Sequence, residues 1–155
     1  MVVDSEYLSL GGKDVQDSVK RVLSTIKKNK IRFIAIAFRG VSGALVAPAV
    51  AAALGKNLVL VRKRSERRHT IRNVEGETNG NYIIIDDFLE TGRTCKTIIS
   101  EIAKVDKGSR KRRRVGVILY KHEDIDSSGH MFTEDTGVRV YTKNGKTVVR
   151  RKKRK

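Results

Sequence analysis

Two adjacent carboxylates, Asp86 and Asp87, close an apolar run and open a small polar turn in the stretch IIIDDFLETGRTC, residues 83 to 95. A third carboxylate, Glu90, follows, and then Thr91-Gly92-Arg93-Thr94. Acids at this spacing can hold sugar hydroxyls or a metal ion. A turn of hydroxyl, glycine and hydroxyl residues at the start of a helix offers amide and hydroxyl donors to a phosphate. The combination suits a phosphorylated sugar. For it to work, the acids must sit at the end of a strand and the turn must lead into a helix.

The neighbouring residues supply those elements. Ile83-Ile84-Ile85 has the continuous apolar character of a strand buried on both faces. A helix is expected from about 92 to 105. Before it, residues 13 to 29 carry Val15, Val19, Val22, Leu23 and Ile26 at helical spacing, an amphipathic helix. IRFIAIAF, 31 to 38, is expected to be a buried strand, RGVSG a turn, and ALVAPAVAAALG, 44 to 55, a helix ending near Gly55. Pro48 is expected in that helix's first turn, where proline is tolerated. NLVLV, 57 to 61, is a second buried strand. Residues 62 to 81 are polar and basic, a long loop or a mobile hairpin. VGVILY, 115 to 120, is a further buried strand. VRVYT and TVVRR flank KNGK as a hairpin.

Apolar strands alternating with helices give an α/β fold, a mostly parallel sheet with helices on both faces. Ligands in such sheets bind beyond the carboxyl ends of the strands. The segments 38 to 43, 86 to 94 and the one after Tyr120 are expected to meet there. At 155 residues, one domain is expected: 1 to 149, with a core of about 13 to 121, a small C-terminal hood of about 121 to 149, and a basic disordered tail from 150 to 155.

Bulk composition narrows the function classes. No run approaches the roughly 18 apolar residues of a membrane span, so no membrane role is expected. The opening MVVDSEYLSLGGKD lacks the basic start and apolar centre of a signal peptide. Cys95 is the single cysteine, which fits a reducing, cytoplasmic setting, and it reads as a small buried residue. His69, His122 and His130 lack metal-ligand spacing and read as surface or loop residues. The net charge is +17, from 34 basic and 17 acidic residues. The bases gather in three clusters, at 62 to 72, 107 to 114 and 146 to 155. Such clusters either meet a polyanion, nucleic acid included, or only keep the surface solvated. For 62 to 72 three readings stand side by side: phosphate binding during catalysis, nucleic-acid binding, or plain solvation.

The stretch from Tyr82 to Thr94 resembles the phosphoribosyl pyrophosphate (PRPP) signature of type I phosphoribosyltransferases. That signature is four apolar residues, two acids, two apolar residues, a variable position and Thr-Gly-x-Thr. Thirteen consecutive positions match it here. AFRGVSGALVAPAVAAALGKNLVLVRKR is similar to the family's pyrophosphate loop, helix and next strand, and the likeness spans about residues 30 to 121. The resemblance implies PRPP contacts from Arg39, Gly40, Asp86, Asp87, Thr91, Gly92, Arg93 and Thr94. It implies that the Arg39–Gly40 step lies at the pyrophosphate, often through a cis peptide bond in that family, and that 62 to 80 is a flexible catalytic loop.

The resemblance further implies the 6-oxopurine branch (hypoxanthine, guanine, xanthine). Those members carry an aspartate where Glu90 stands, near N7 of the base, and a lysine where Lys121 stands, donating to O6. Phe132 and Tyr141 are candidates for an aromatic stacked on the base. The implied reaction is displacement of pyrophosphate from PRPP by a purine nitrogen, with Mg²⁺ as cofactor. Asp86 and Asp87 would hold ribose hydroxyls, directly or with the metal through Mg-PRPP, and Glu90 would take the base proton. A homodimer is expected by the same likeness. The alternative is a protein of this fold that keeps the PRPP site and acts as a regulator or binds nucleic acid, since fold does not fix function.

Overall fold

The computed structural model describes residues 12–63, 72–77, 80–87, 93–105 and 114–120 with their side chains, and 131–134, 138–143 and 146–151 by backbone alone. Helix α1 (Gly12–Lys28) buries Ser18, Val22 and Ile26, spaced by four residues along one stripe. Asp14 in its first turn and Lys27 and Lys28 in its last complement the helix dipole. It ends in a tight cap: Ile31 N–H donates to the Ile26 carbonyl at 3.2 Å and Lys30 N–H to the Lys27 carbonyl at 3.2 Å. Lys30 takes φ +51° there, a conformation that glycine usually supplies.

Strand β1 (Ala35–Phe38) is wholly buried. It is shorter than the expected 31 to 38, because pairing with both neighbours starts only at Ala35. Helix α2 (Gly40–Leu54) follows at once. The expected turn over RGVSG is therefore the start of this helix, and its glycines have other tasks. Gly40 holds φ +70°, which turns the chain out of the strand. Gly43 lets the helix lie against β1: a Cβ there would sit 2.7 Å from Phe38 Cβ. The earlier start also moves Pro48 out of the first turn and into the helix interior. Proline cannot donate to the carbonyl four residues back. That carbonyl belongs to Ala44, which is exposed, so water can take the lost bond. Gly55, at φ +61°, caps the helix, and Lys56 N–H reaches the Ala51 carbonyl at 2.9 Å.

Strand β2 (Asn57–Val61) runs parallel to β1. The basic stretch behind it contains a short antiparallel strand, β3 (Val74–Glu75), which returns along β2. Strand β4 (Tyr82–Asp86) is buried throughout and leads through Asp87 toward α3 (Arg93–Val105). Strand β5 (Arg114–Leu119) completes the parallel set. Strand β6 (Met131–Glu134) was not foreseen. It pairs antiparallel with β5, so part of the stretch assigned to a hood is an edge of the main sheet. The order is β3-β2-β1-β4-β5-β6.

Strands β7 (Val138–Lys143) and β8 (Lys146–Arg151) form a separate antiparallel pair, in the place of the expected hairpin. Arg150 and Arg151, read as the start of a tail, lie in β8. Residues 152–155 lie outside the described residues, as do the three histidines. Cys95 is buried. No described helix is long and apolar enough to cross a membrane.

Alternate residues of the central strands feed two cores. Ile36, Phe38, Ile83, Ile85 and Ile118 join Val22, Ile26, Val46, Ala47 and Val50 of α1 and α2 on one face. Ala35, Ala37, Val59, Tyr82, Ile84, Val117 and Leu119 join Cys95, Ile98 and Ile102 of α3 on the other. Helices thus cover both faces, and strands buried on both sides read as continuous apolar runs. From β1 the chain crosses by α2 to β2 on one side. From β4 it crosses by α3 to β5 on the other. The order reverses between β1 and β4, and at such a reversal the outgoing loops part and leave a crevice.

Candidate active site

Asp86 is the last residue of β4, and Asp87 follows it; both are 6% exposed. Ala37 pairs with Ile84, so β1 and β4 release Arg39-Gly40 and Asp86-Asp87 at the same edge of the sheet. Asp86 Oδ1 accepts two hydrogen bonds, from Ser42 Oγ at 3.0 Å and from the Asp87 N–H at 3.0 Å. Ser42 stands in the first turn of α2, so this bond spans the crevice. Tyr120, just past β5, donates from its hydroxyl to the Ser42 carbonyl at 2.5 Å. Its own N–H donates to the Asp86 carbonyl at 3.1 Å. The starts or ends of α2, β4 and β5 are thereby tied into one unit.

The Asp86 pKa is raised to about 6, first by burial and then by the neighbouring Asp87 charge, against the opposing bonds from the Asp87 amide and Ser42. A carboxyl poised near neutrality beside a second carboxyl is a site that gains from a cation or from hydroxyl donors. Tyr120 is also pushed upward, first by burial and then by Asp87 and Asp86, so it remains a donor. Burial and the Asp86 charge push Cys95 up to about 11, which keeps it an inert thiol at neutral pH.

Arg39 precedes α2 with an extended backbone, φ −147° and ψ 136°, and no side chain caps that helix. The amides of its first turn are open to an anion at the strand edge. Arg39 Nε is buried with no hydrogen-bond partner. Lys63 Cε lies 3.2 Å from where a Cβ on Gly40 would stand, so only glycine gives this approach without adjustment. No cis peptide occurs among the described residues, so the Arg39–Gly40 bond is trans, contrary to the expectation from resemblance.

The structure therefore brings Arg39, Gly40, Asp86 and Asp87 to one crevice, with Arg93 and Thr94 at the start of α3. Glu90, Thr91, Gly92 and Lys121 lie outside the described residues. Phe132 stands opposite Ile118 in the β5–β6 register, and Tyr141 opposite Val148 in β7–β8. Ser42 and Tyr120 escaped the sequence reading. Ser42 is 44 residues from Asp86, and no local pattern joins them. Among the described residues no group of three or more His, Cys, Asp or Glu is placed to hold a metal unaided.

Comparison with known proteins returns no matching family model and no matching curated relative. Solved structures do match. Adenine phosphoribosyltransferase from Thermoanaerobacter pseudethanolicus aligns at a TM-score of 0.54 and 18% identity, over 70% of this chain and 69% of that one. The Saccharomyces cerevisiae adenine phosphoribosyltransferase, solved with adenine and an imino-altritol bisphosphate, gives 0.54 and 19%, over 69% and 67%. Orotate phosphoribosyltransferase from Francisella tularensis gives 0.57 and 14%, over 71% of this chain but only 52% of its own. At these identities the likeness concerns architecture. The chain carries the α/β fold of the type I phosphoribosyltransferases.

Proposed function

We infer that this protein transfers the 5-phosphoribosyl group of PRPP to a purine base, a 6-oxopurine in preference, and releases pyrophosphate. The observation that carries this reading is the buried Asp86–Asp87 pair at the point where the strand order reverses, tied to α2 through Ser42. The base nitrogen forms a bond to the anomeric carbon as the bond to pyrophosphate oxygen breaks. The electron pair leaves with pyrophosphate, and the proton lost by the base goes to Glu90. Positive charge grows on the sugar in between, and fixed carboxylates stabilise it without reorganising.

Asp86 and Asp87 accept from the ribose hydroxyls. Thr91, Gly92, Arg93 and Thr94 hold the 5′-phosphate at the start of α3, and Arg39 and Gly40 hold the pyrophosphate at the start of α2. Lys121 donates to the base carbonyl, and Phe132 or Tyr141 stacks on the ring. The acid pair fits Mg²⁺, which keeps several waters and binds through one or two carboxylates together with substrate phosphates. When bound with PRPP, the ion would neutralise charge growing on the leaving group. Asp86 and Asp87 are the residues that would hold it.

The test is PRPP-dependent turnover with Mg²⁺ and each of guanine, hypoxanthine, xanthine, adenine, uracil and orotate, with Asp87→Asn as control. Turnover of a 6-oxopurine, lost in the control, supports the whole reading. Turnover of adenine or orotate alone overturns the roles of Glu90 and Lys121 while keeping the transfer. Absence of turnover with all six overturns the enzyme.

One observation favours a second reading, a nucleic-acid-binding or regulatory protein that keeps the site. The β7–β8 register sets Arg139 opposite Arg150 and Lys143 opposite Lys146. These paired positions add to the basic residue types along the chain, which a polyanion would neutralise. Such binding would be phosphate-driven and fall steeply with salt. A homodimer remains part of the proposal, and sedimentation tests it.

A further inference from the structure

The first residues of the parallel strands stand in one row. Asn57 of β2, Ala35 of β1, Tyr82 of β4 and Arg114 of β5 are register partners. This row is the amino edge of the sheet, opposite the edge that carries Asp86 and Asp87. Along β4 the two edges are about 13 Å apart, four steps of strand rise from Tyr82 to Asp86. Two chain segments border the row. The link from α1 reaches it at Ile34, whose N–H donates to the Asn81 carbonyl at 2.8 Å and whose carbonyl accepts from the Asn57 N–H at 3.1 Å. The turn from α2 into β2 is drawn to the same link, with Lys56 Nζ 5.4 Å from the centre of the Phe33 ring.

The two segments, 27 to 34 and 54 to 57, carry Lys27, Lys28, Lys30, Arg32 and Lys56 and no acid. The first four are exposed and Lys56 is half-buried. None of the five forms an ion pair among the described residues. Arg114, the last base of the 107 to 114 cluster, starts β5 in the same row. The described carboxylates lie elsewhere or are engaged. Asp14 and Asp17 precede Lys27 by at least ten residues of α1, about 15 Å of helix. Asp86 and Asp87 belong to the far edge, and Glu75 and Glu101 hold Arg62 and Lys104. Only Glu77, after β3, is left to oppose the five cations. Separations of about 13–15 Å exceed the Debye length of about 8 Å at physiological salt, so the distant acids cancel little of this charge.

We propose that the amino edge of the sheet docks a nucleic-acid duplex through its phosphates. A duplex carries one negative charge per about 1.7 Å of axis, which suits several cations held side by side. Single-strand binders stack unpaired bases on aromatic rings. The described aromatics, Phe33, Phe38, Tyr82 and Tyr120, are all buried, so this edge offers phosphates charge and offers bases no platform. A membrane surface is the poorer fit, because docking there buries a broad apolar face together with the charge. The large apolar residues exposed at this edge are only Ile34 and Leu54, at 45% and 36%. The inference rests on the nucleic-acid reading and gives it a surface other than β7–β8. That surface lies away from the Asp86–Asp87 crevice, so duplex and PRPP do not compete.

The experiment follows a short labelled duplex of mixed sequence by fluorescence anisotropy with the full chain, between about 50 and 200 mM salt. The triple variant Lys27→Gln, Lys30→Gln, Arg32→Gln removes three exposed cations. Circular dichroism checks its fold, and Arg32→Gln alone is a milder probe. The expected result is saturable binding by the wild type that falls steeply with salt. The triple variant should bind about tenfold or more weakly at the low-salt end, with the slope of log K against log salt reduced by about 3, and Arg32→Gln should reduce it by about 1. Wild-type affinity and slope in the triple variant overturn this surface. If Arg139→Gln with Arg150→Gln then abolishes binding, the nucleic-acid reading stands and β7–β8 is its seat. No duplex binding by the wild type at the low-salt end overturns both. Tighter binding of a single strand than of the duplex overturns the choice of partner. So does binding to phosphatidylserine vesicles, lost in the triple variant, in the absence of duplex binding.

Discussion

Asp86→Asn should abolish turnover and yet stabilise the protein at pH 8. The carboxyl is buried beside Asp87, and its pKa is raised from 3.8 to about 6. A group whose folded value lies above its unfolded value contributes stability that is fully present below the unfolded value and lost as pH rises through the folded one. Wild-type stability should therefore fall between about pH 4 and pH 6, by up to roughly 3 kcal/mol at 1.36 kcal/mol per unit. Asparagine keeps an oxygen for Ser42 and the Asp87 amide but carries no charge to desolvate. A gain of about 1–3 kcal/mol is expected at pH 8, a Tm rise of about 2–12 °C for a chain of this size. At pH 4 the two proteins should differ by less than about 0.5 kcal/mol, because the wild-type carboxyl is then mostly neutral. Urea denaturation at both pH values reads the difference. A loss of stability at pH 8, or an equal gain at both pH values, would refute the reasoning, since packing rather than charge would then govern.

Three further substitutions probe the frame. Gly43→Ala should cost about 1–3 kcal/mol in urea denaturation, because the new Cβ meets Phe38 Cβ at 2.7 Å between packed elements. Tyr120→Phe removes the donor to the Ser42 carbonyl and should cost about 0.5–1.5 kcal/mol, with a lower kcat as Ser42 loosens; unchanged kinetics would separate Ser42 from the site. Lys30→Gly should raise stability by up to about 1 kcal/mol, since the α1 cap holds that residue at φ +51°.

Much of this architecture was legible because burial on both faces of a parallel sheet writes itself as unbroken apolar runs. Ile83–Ile85 and Val117–Leu119 are such runs, and the acids of Asp86 and Asp87 mark where β4 ends. The helical stripe of α1 was equally plain. The start of α2 was not, because Gly40 and Gly43 read as turn residues until their neighbours are known. One turns the chain and the other admits Phe38. The misplacement of Pro48 followed from that. Strand β6 is four residues in a polar stretch, and only its partner β5 makes it a strand. The links among Ser42, Asp86 and Tyr120 bridge 44 and 78 residues, and pattern within a short window cannot carry them. The basic amino edge joins residues from three segments for the same reason.

The most direct test of the central claim is equilibrium binding of Mg-PRPP to the wild type and to Asp87→Asn. The account predicts saturable binding by the wild type and a loss of about tenfold to a hundredfold in the variant, the size of a ribose hydroxyl bond to a buried carboxylate. Equal binding by the two proteins, or none by either, would contradict it.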